Sequence, residues 1–165
     1  MTKTLRNRSV PGLRSAALAA TFALLAAFTA SPARADPCDD VAKELADQID
    51  GLKVNFKAAN IVYLTHPAAK ELSLGCQAQG QTYSNELYAK GDRKPKPAFL
   101  ELVASASAII FTLPKDEMLK GATRCIKRMG LFRGDDVKTR YRRLDMNCSR
   151  TKTDASITIS RGVDQ

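Results

Sequence analysis

The first 35 residues determine how much of this chain folds and in which compartment it folds. Four basic residues precede an uncharged, alanine-rich run over residues 16–30. A Ser-Pro pair then leads to Ala33-Arg34-Ala35, which has the small-x-small pattern of a cleavage site. An acidic stretch begins at Asp36. This order is typical of a cleaved secretory signal peptide. We therefore predict a signal peptide over residues 1–35, cleavage after Ala35, and a single small exported domain over residues 36–165.

An uncleaved membrane anchor is the alternative interpretation of the same segment. The apolar run spans fifteen residues, fewer than the roughly 20 that a spanning helix needs. It is also richer in alanine than in leucine, and it ends at the small-x-small pattern. We therefore expect no stable membrane anchor after cleavage and a periplasmic or secreted location.

Removal of the leader changes the charge balance of the chain. The full sequence carries a formal charge of +9, but five of its 26 basic residues and none of its 17 acidic residues lie in the leader, which leaves +4 on residues 36–165. An excess this mild does not favour a nucleic-acid partner. The remaining 130 residues fit one domain that can bury roughly two-thirds of its unfolded surface.

The predicted mature domain keeps all four cysteines, which are Cys38, Cys76, Cys125 and Cys148. An even number in an exported domain predicts two disulfides. Three pairings are possible, and we favour Cys38–Cys76 with Cys125–Cys148 because sequential pairing joins neighbouring elements. The chain has no C-x-x-C motif and only one histidine, His66, so the sequence supports neither a redox site nor a zinc site. We predict no metal and no cofactor.

In the first half of the domain, the sequence predicts one helix followed by an antiparallel β-meander. Asp36 and Pro37 are typical of a helix start, and apolar residues at four-residue spacing extend the helix over residues 38–48. β-forming residues between turn signals predict strands over residues 60–65, 71–77 and 82–90. Residues 85–89 fit a short helix equally well.

The second half predicts two helices and a hairpin. Residues 99–112 are apolar on nearly every side, which favours a helix at the centre of the core, although residues 108–113 also suit a strand. A second helix follows over residues 115–129, and the hairpin covers residues 137–150 and 155–160. Its apolar alternation changes phase at Arg142-Arg143, which predicts a β-bulge. The fold class is therefore α+β, with an antiparallel sheet (meander plus C-terminal hairpin) packed by two or three helices and stapled by two disulfides.

The hairpin also supplies the candidate binding surface. Residues 115–161 contain 13 basic and 6 acidic residues, so +7 lies there, against −3 on the rest of the mature chain. Arginine can bind phosphates and carboxylates with two parallel hydrogen bonds. The alternative is that these charges only solvate the outer face and protect an edge strand. The predicted binding residues are Lys138, Arg140, Arg142, Arg143, Ser156 and Thr158.

These observations predict an exported binding or accessory protein without catalytic activity. Its basic hairpin would engage an anionic envelope component or an acidic protein. One alternative is a small secreted hydrolase with an unrecognised site near His66 or Ser149. Another is an inhibitor-like protein that inserts the basic loop over residues 90–97 into a partner. Other interpretations of this loop are a solvated connection and an extension of the basic surface.

Overall fold

The computed structural model describes residues 36–79, 82–130 and 134–162, so the predicted signal peptide lies outside the described residues. The described chain forms three helices and seven strands. In order, they are α1 (Pro37–Gln48), β1 (Lys53–Ala58), β2 (Ile61–Thr65), β3 (Glu71–Gln79), β4 (Thr82–Asp92), α2 (Pro97–Phe111), α3 (Lys115–Arg128), β5 (Asp136–Tyr141), β6 (Leu144–Arg150) and β7 (Asp154–Arg161).

All seven strands belong to one antiparallel sheet in the order β1-β2-β3-β4-β7-β6-β5. Two meanders, β1 to β4 and β5 to β7, are joined where β4 pairs with β7. This arrangement confirms the predicted α+β class. It also shows that β4 is a strand throughout, because Leu87 and Ala89 are buried while Glu86 stays exposed. The alternative of a short helix over residues 85–89 is wrong.

The helices bury one face of the sheet. Asp36 caps α1, since its side chain accepts a hydrogen bond from the Cys38 backbone at 3.0 Å. The apolar helix α2 packs against α1, α3 and β4, which confirms its predicted place in the core. α2 continues to Phe111 and ends at Thr112, whose φ is 56°, so a strand over residues 108–113 is wrong. No helix of the described ranges is both long and apolar enough to cross a membrane.

Two disulfides connect this helical layer to the sheet. Cys38 of α1 bonds to Cys76 of β3, and Cys125 of α3 bonds to Cys148 of β6. Both predicted pairs are therefore confirmed. Disulfides persist in oxidising compartments, so the pairs indicate an extracellular or periplasmic environment.

The predicted bulge at Arg142-Arg143 is wrong. These two residues form the turn of a hairpin between β5 and β6, with φ values of 51° and 64°, as a type I′ turn requires. Tyr141 then pairs with Leu144, and the register continues without a shift to Asp136 and Ser149. A two-residue turn explains the change of phase, because paired residues of neighbouring strands share a face of the sheet.

Strand β1 was not predicted from the sequence. It is an edge strand, and all six of its residues are exposed. Its pairing with β2 is irregular between Val54 and Phe56. The usual contrast between a buried and a solvated face is therefore missing from this strand.

Candidate functional site

The sheet has an outer face, opposite the core, that consists of the alternate residues of each strand. Along β7, for example, Ala155, Ile157 and Ile159 are buried, whereas the residues between them are half-buried. The strand register places these outer residues in rows across the sheet. One row runs from β5 to β1 through Lys138, Asn147, Thr158, Tyr88, Ser73, Tyr63 and Phe56.

The six predicted binding residues do not form one cluster. Lys138 and Arg140 lie exposed on the outer face of β5, the edge strand. Thr158 follows Lys138 in the same row, two strands away, which corresponds to about 10 Å. Ser156 lies in the next row of the outer face, which pairs it with Lys90. Burial, and then the charge of Glu71, raises the pKa of Tyr88 above its ordinary value of 10.0.

Two of the predicted arginines have acidic neighbours. Arg142 Nε lies 3.1 Å from Glu117 Oε2, and the same carboxylate accepts a hydrogen bond from the Tyr141 hydroxyl at 2.8 Å. Lys120 completes this group, with Nζ 3.0 Å from Glu117 Oε1. The bonds from Lys120 and then Tyr141 and Arg142 lower the pKa of Glu117 to about 2. Arg140 Nε lies 3.9 Å from Asp145 Oδ1, so the surface is less basic than its residue count indicates.

Helix α3 contributes cations that the sequence argument did not assign to the surface. Arg128 Nη1 donates to Thr139 Oγ1 at 3.2 Å, which places the last turns of α3 beside β5. Arg124 lies one turn earlier on the same side of the helix and is exposed. The spacing of basic residues in α3 was the available signal. We define the basic edge as the cations around β5, namely Arg124, Arg128, Lys138, Arg140, Arg142 and Arg143.

The basic loop predicted over residues 90–97 is shorter in the structure. Strand β4 continues through Asp92, and the Lys90 ammonium lies 2.5 Å from Glu71 Oε1. Arg93 donates to the Thr151 carbonyl, which holds the remaining connection at the β6–β7 turn. That end of β6 is about 20 Å from Arg142 and Arg143, given the rise of a strand over seven residues. The loop therefore does not extend the basic edge.

His66 lies beside a cavity of about 270 Å³, but its ring is bound to the backbone. The Ala68 N–H donates to Nδ1 at 3.1 Å, and Nε2 lies 3.1 Å from the Asp50 carbonyl oxygen. Nδ1 is therefore the acceptor and Nε2 carries the proton that is donated to Asp50. A ring held in this way stabilises the turn and has no free nitrogen to accept a proton from a nucleophile.

A second cavity, of about 240 Å³, opens on the outer face over β2, β3 and β4. Gly75 lies at its centre, in the row between Ile61 and Glu86. The row beside it holds Ser73 between Tyr63 and Tyr88. The sequence predicted no binding residue here, because the lining residues come from three strands and only the strand register brings them together. Its lining is Ala59, Asn60, Ile61, Ser73, Gly75, Gln77, Glu86 and Tyr88.

Residues 36–79, 82–130 and 134–162 contain no group of three His, Cys, Asp or Glu side chains that could hold a metal ion. No protein-family model, curated protein or solved structure matches this chain. The sheet thus offers two candidate binding surfaces, the basic edge and the outer-face cavity.

Proposed function

We propose that this chain is an exported binding protein that loses residues 1–35 and acts in the periplasm or outside the cell. The basic edge binds an anionic component of the cell envelope. The observation that carries the proposal is the convergence of α3 and the β5–β6 hairpin, which places six cations around one exposed strand. Arg124, Lys138 and Arg143 form no ion pair with any residue that the structure describes.

The chemistry of these side chains favours phosphate or carboxylate ligands. Guanidinium groups present several donors in a fixed plane and bind such anions with two parallel hydrogen bonds. The Arg142-Arg143 turn presents two of these groups at the end of the hairpin, next to Lys138 and Arg140 on the edge strand. Binding through exposed cations is screened by salt, so it weakens as ionic strength rises.

Vesicle binding tests the proposal. The probe is a phosphatidylcholine vesicle with or without phosphatidylglycerol, and co-sedimentation is measured at low and at physiological ionic strength. Arg124→Ala, Lys138→Ala and Arg143→Ala are combined in one variant. Each cation near an anionic surface contributes about 1 kcal/mol, so the triple variant should bind about 100-fold more weakly.

The matched control removes the same charge elsewhere. Lys43, Lys94 and Lys96 are exposed on α1 and on the loop before α2, and their combined replacement by Ala should leave vesicle binding within a few-fold of the unchanged protein. Equal losses in both triple variants would show that net charge alone governs binding and would contradict a site at the basic edge. Binding to a polyglutamate peptide in preference to the vesicles would instead identify an acidic protein as the partner.

A further inference from the structure

The aromatic side chains of β1 and β2 lie at the opposite end of the outer face from the basic edge. Phe56 and Tyr63 stack with ring centroids 4.5 Å apart and an interplanar angle of 19°, and they are 58% and 37% exposed. The large apolar side chains that are exposed among the described residues all belong to these two strands. Exposed apolar groups collected at one place mark an interaction site more often than scattered ones do.

The outer-face cavity adjoins this aromatic pair. Tyr63 pairs across the strands with Ser73, which lines the cavity, and Ser73 pairs in turn with Tyr88. The two tyrosines are therefore separated by two strand spacings, about 10 Å, with only a serine between them. In the neighbouring row, Gly75 lies between Ile61 and Glu86 and has no side chain, so this row also leaves space above the sheet.

The polar groups of the lining are suited to hydroxyls. The side chain of Glu86 is exposed and forms no hydrogen bond or ion pair with another described residue, and a carboxylate accepts hydrogen bonds from hydroxyl groups. Asn60 and Gln77 supply amides that both donate and accept, and Ser73 adds a hydroxyl. Glu86 is the one charged group in the lining, so the cavity disfavours anions, in contrast to the basic edge.

From this combination we infer that the outer-face cavity is a binding site for one ring of a neutral saccharide. The apolar face of a sugar ring would pack on Tyr88 and Ile61, while its hydroxyls bind Glu86, Gln77 and Asn60. The volume of about 240 Å³ is slightly below the range for drug-sized ligands, which fits a single ring better than a buried chain. A second ring would extend over the exposed Phe56–Tyr63 pair.

Titrations followed by amide correlation spectra test this inference. The probes are glucose, N-acetylglucosamine, maltose and diacetylchitobiose, each added to the protein up to tens of millimolar. At least one of them should shift the amide signals of Ser73, Gly75 and Tyr88, with a dissociation constant in the millimolar range. If none of the four sugars moves these signals, the inference is overturned.

A filled cavity provides the matched variant. A Cβ atom at Gly75 would lie 3.6 Å from the Glu86 Cβ, an ordinary contact, and valine is favoured in strands. Gly75→Val should therefore occupy the cavity and weaken saccharide binding at least about tenfold. Asn147→Val adds the same side chain to the outer face of β6, away from the cavity, and should change nothing. A second variant, Glu86→Ala, removes an acceptor without filling the space and should also weaken binding.

Three outcomes would refute the saccharide site. These are saccharide binding that is not weakened in Gly75→Val, equal losses in Gly75→Val and Asn147→Val, and sugar-induced shifts confined to other parts of the spectrum. The remaining amide signals of each variant report whether the fold is intact. Sugar binding by the basic-edge triple variant should be unchanged, which separates this inference from the proposed function.

Discussion

Removal of either disulfide should destabilise the domain by an amount that follows from the length of chain it encloses. Cys38–Cys76 spans 38 residues and Cys125–Cys148 spans 23. In the loop-entropy description these separations correspond to about 3.9 and about 3.4 kcal/mol at 25 °C. Because a domain is stable by only about 5–15 kcal/mol, either loss is a large part of the total.

Paired replacement by alanine is the appropriate perturbation. All four cysteines are buried, and alanine avoids the cost of placing a hydroxyl without a partner in the core. The assay is equilibrium unfolding in urea of the unchanged protein and of the two double variants, with the slope of the transition compared as well as its midpoint. On heating, each variant should melt roughly 15 °C lower, given about 4 °C per kcal/mol for a domain of this size.

A loss of less than about 1 kcal/mol in either double variant would contradict this prediction, since loop closure would then contribute little to stability. Cys38 and Cys76 hold α1 on β3, whereas the second pair holds α3 on β6. A loss several-fold larger for the shorter loop would show that native packing, and not the length of the enclosed chain, determines the effect.

Three further predictions concern single residues. Gly91→Ala should cost about 1–3 kcal/mol in urea unfolding, because its Cβ would lie 2.8 Å from the buried ring of Phe99; an unchanged midpoint would contradict this packing. Arg143→Gly should raise stability by about 0.5 kcal/mol, as glycine removes the cost of a left-handed φ but gains freedom when unfolded; a loss would argue against the two-residue turn. Glu117 has a pKa lowered from 4.5 to about 2, so its stabilising effect is complete above pH 4.5 and is lost as the pH falls towards 2. Glu117→Gln should therefore show a shallower loss of stability over that interval, and parallel pH profiles would refute the assignment.

Local signals predicted much of this fold. Asp36 and Pro37 mark the start of α1, and the apolar surface of α2 indicates its place between the other helices. The disulfide pairs followed from the order of the elements, because α1 lies on the first meander and α3 on the second. For the two helices, the deciding interaction lies within a few residues or is dictated by burial.

The errors arose where the usual local signal is missing. A type I′ turn normally contains Asn or Gly, and Arg142-Arg143 has neither, so the change of phase was interpreted as a bulge. Strand β1 has no buried face to reveal it. Both cases depend on pairing with a neighbouring strand, which composition and periodicity do not specify.

The candidate sites differ in how far the sequence could predict them. The charge asymmetry was visible in residues 115–161, but the ion pairs that Asp145 and Glu117 form with Arg140 and Arg142 were not. The outer-face cavity depends on the register that brings Ile61, Gly75 and Glu86 into one row. Such a row joins residues from three strands, so no single stretch of sequence contains it.

Export is the premise on which the proposed function depends, and the intact mass of the protein purified from its natural source tests it most directly. With a thiol-alkylating reagent present, the account predicts one species that corresponds to residues 36–165, with two disulfides and no alkylated cysteine. A full-length species, or one in which the reagent has modified Cys38, Cys76, Cys125 or Cys148, would contradict it.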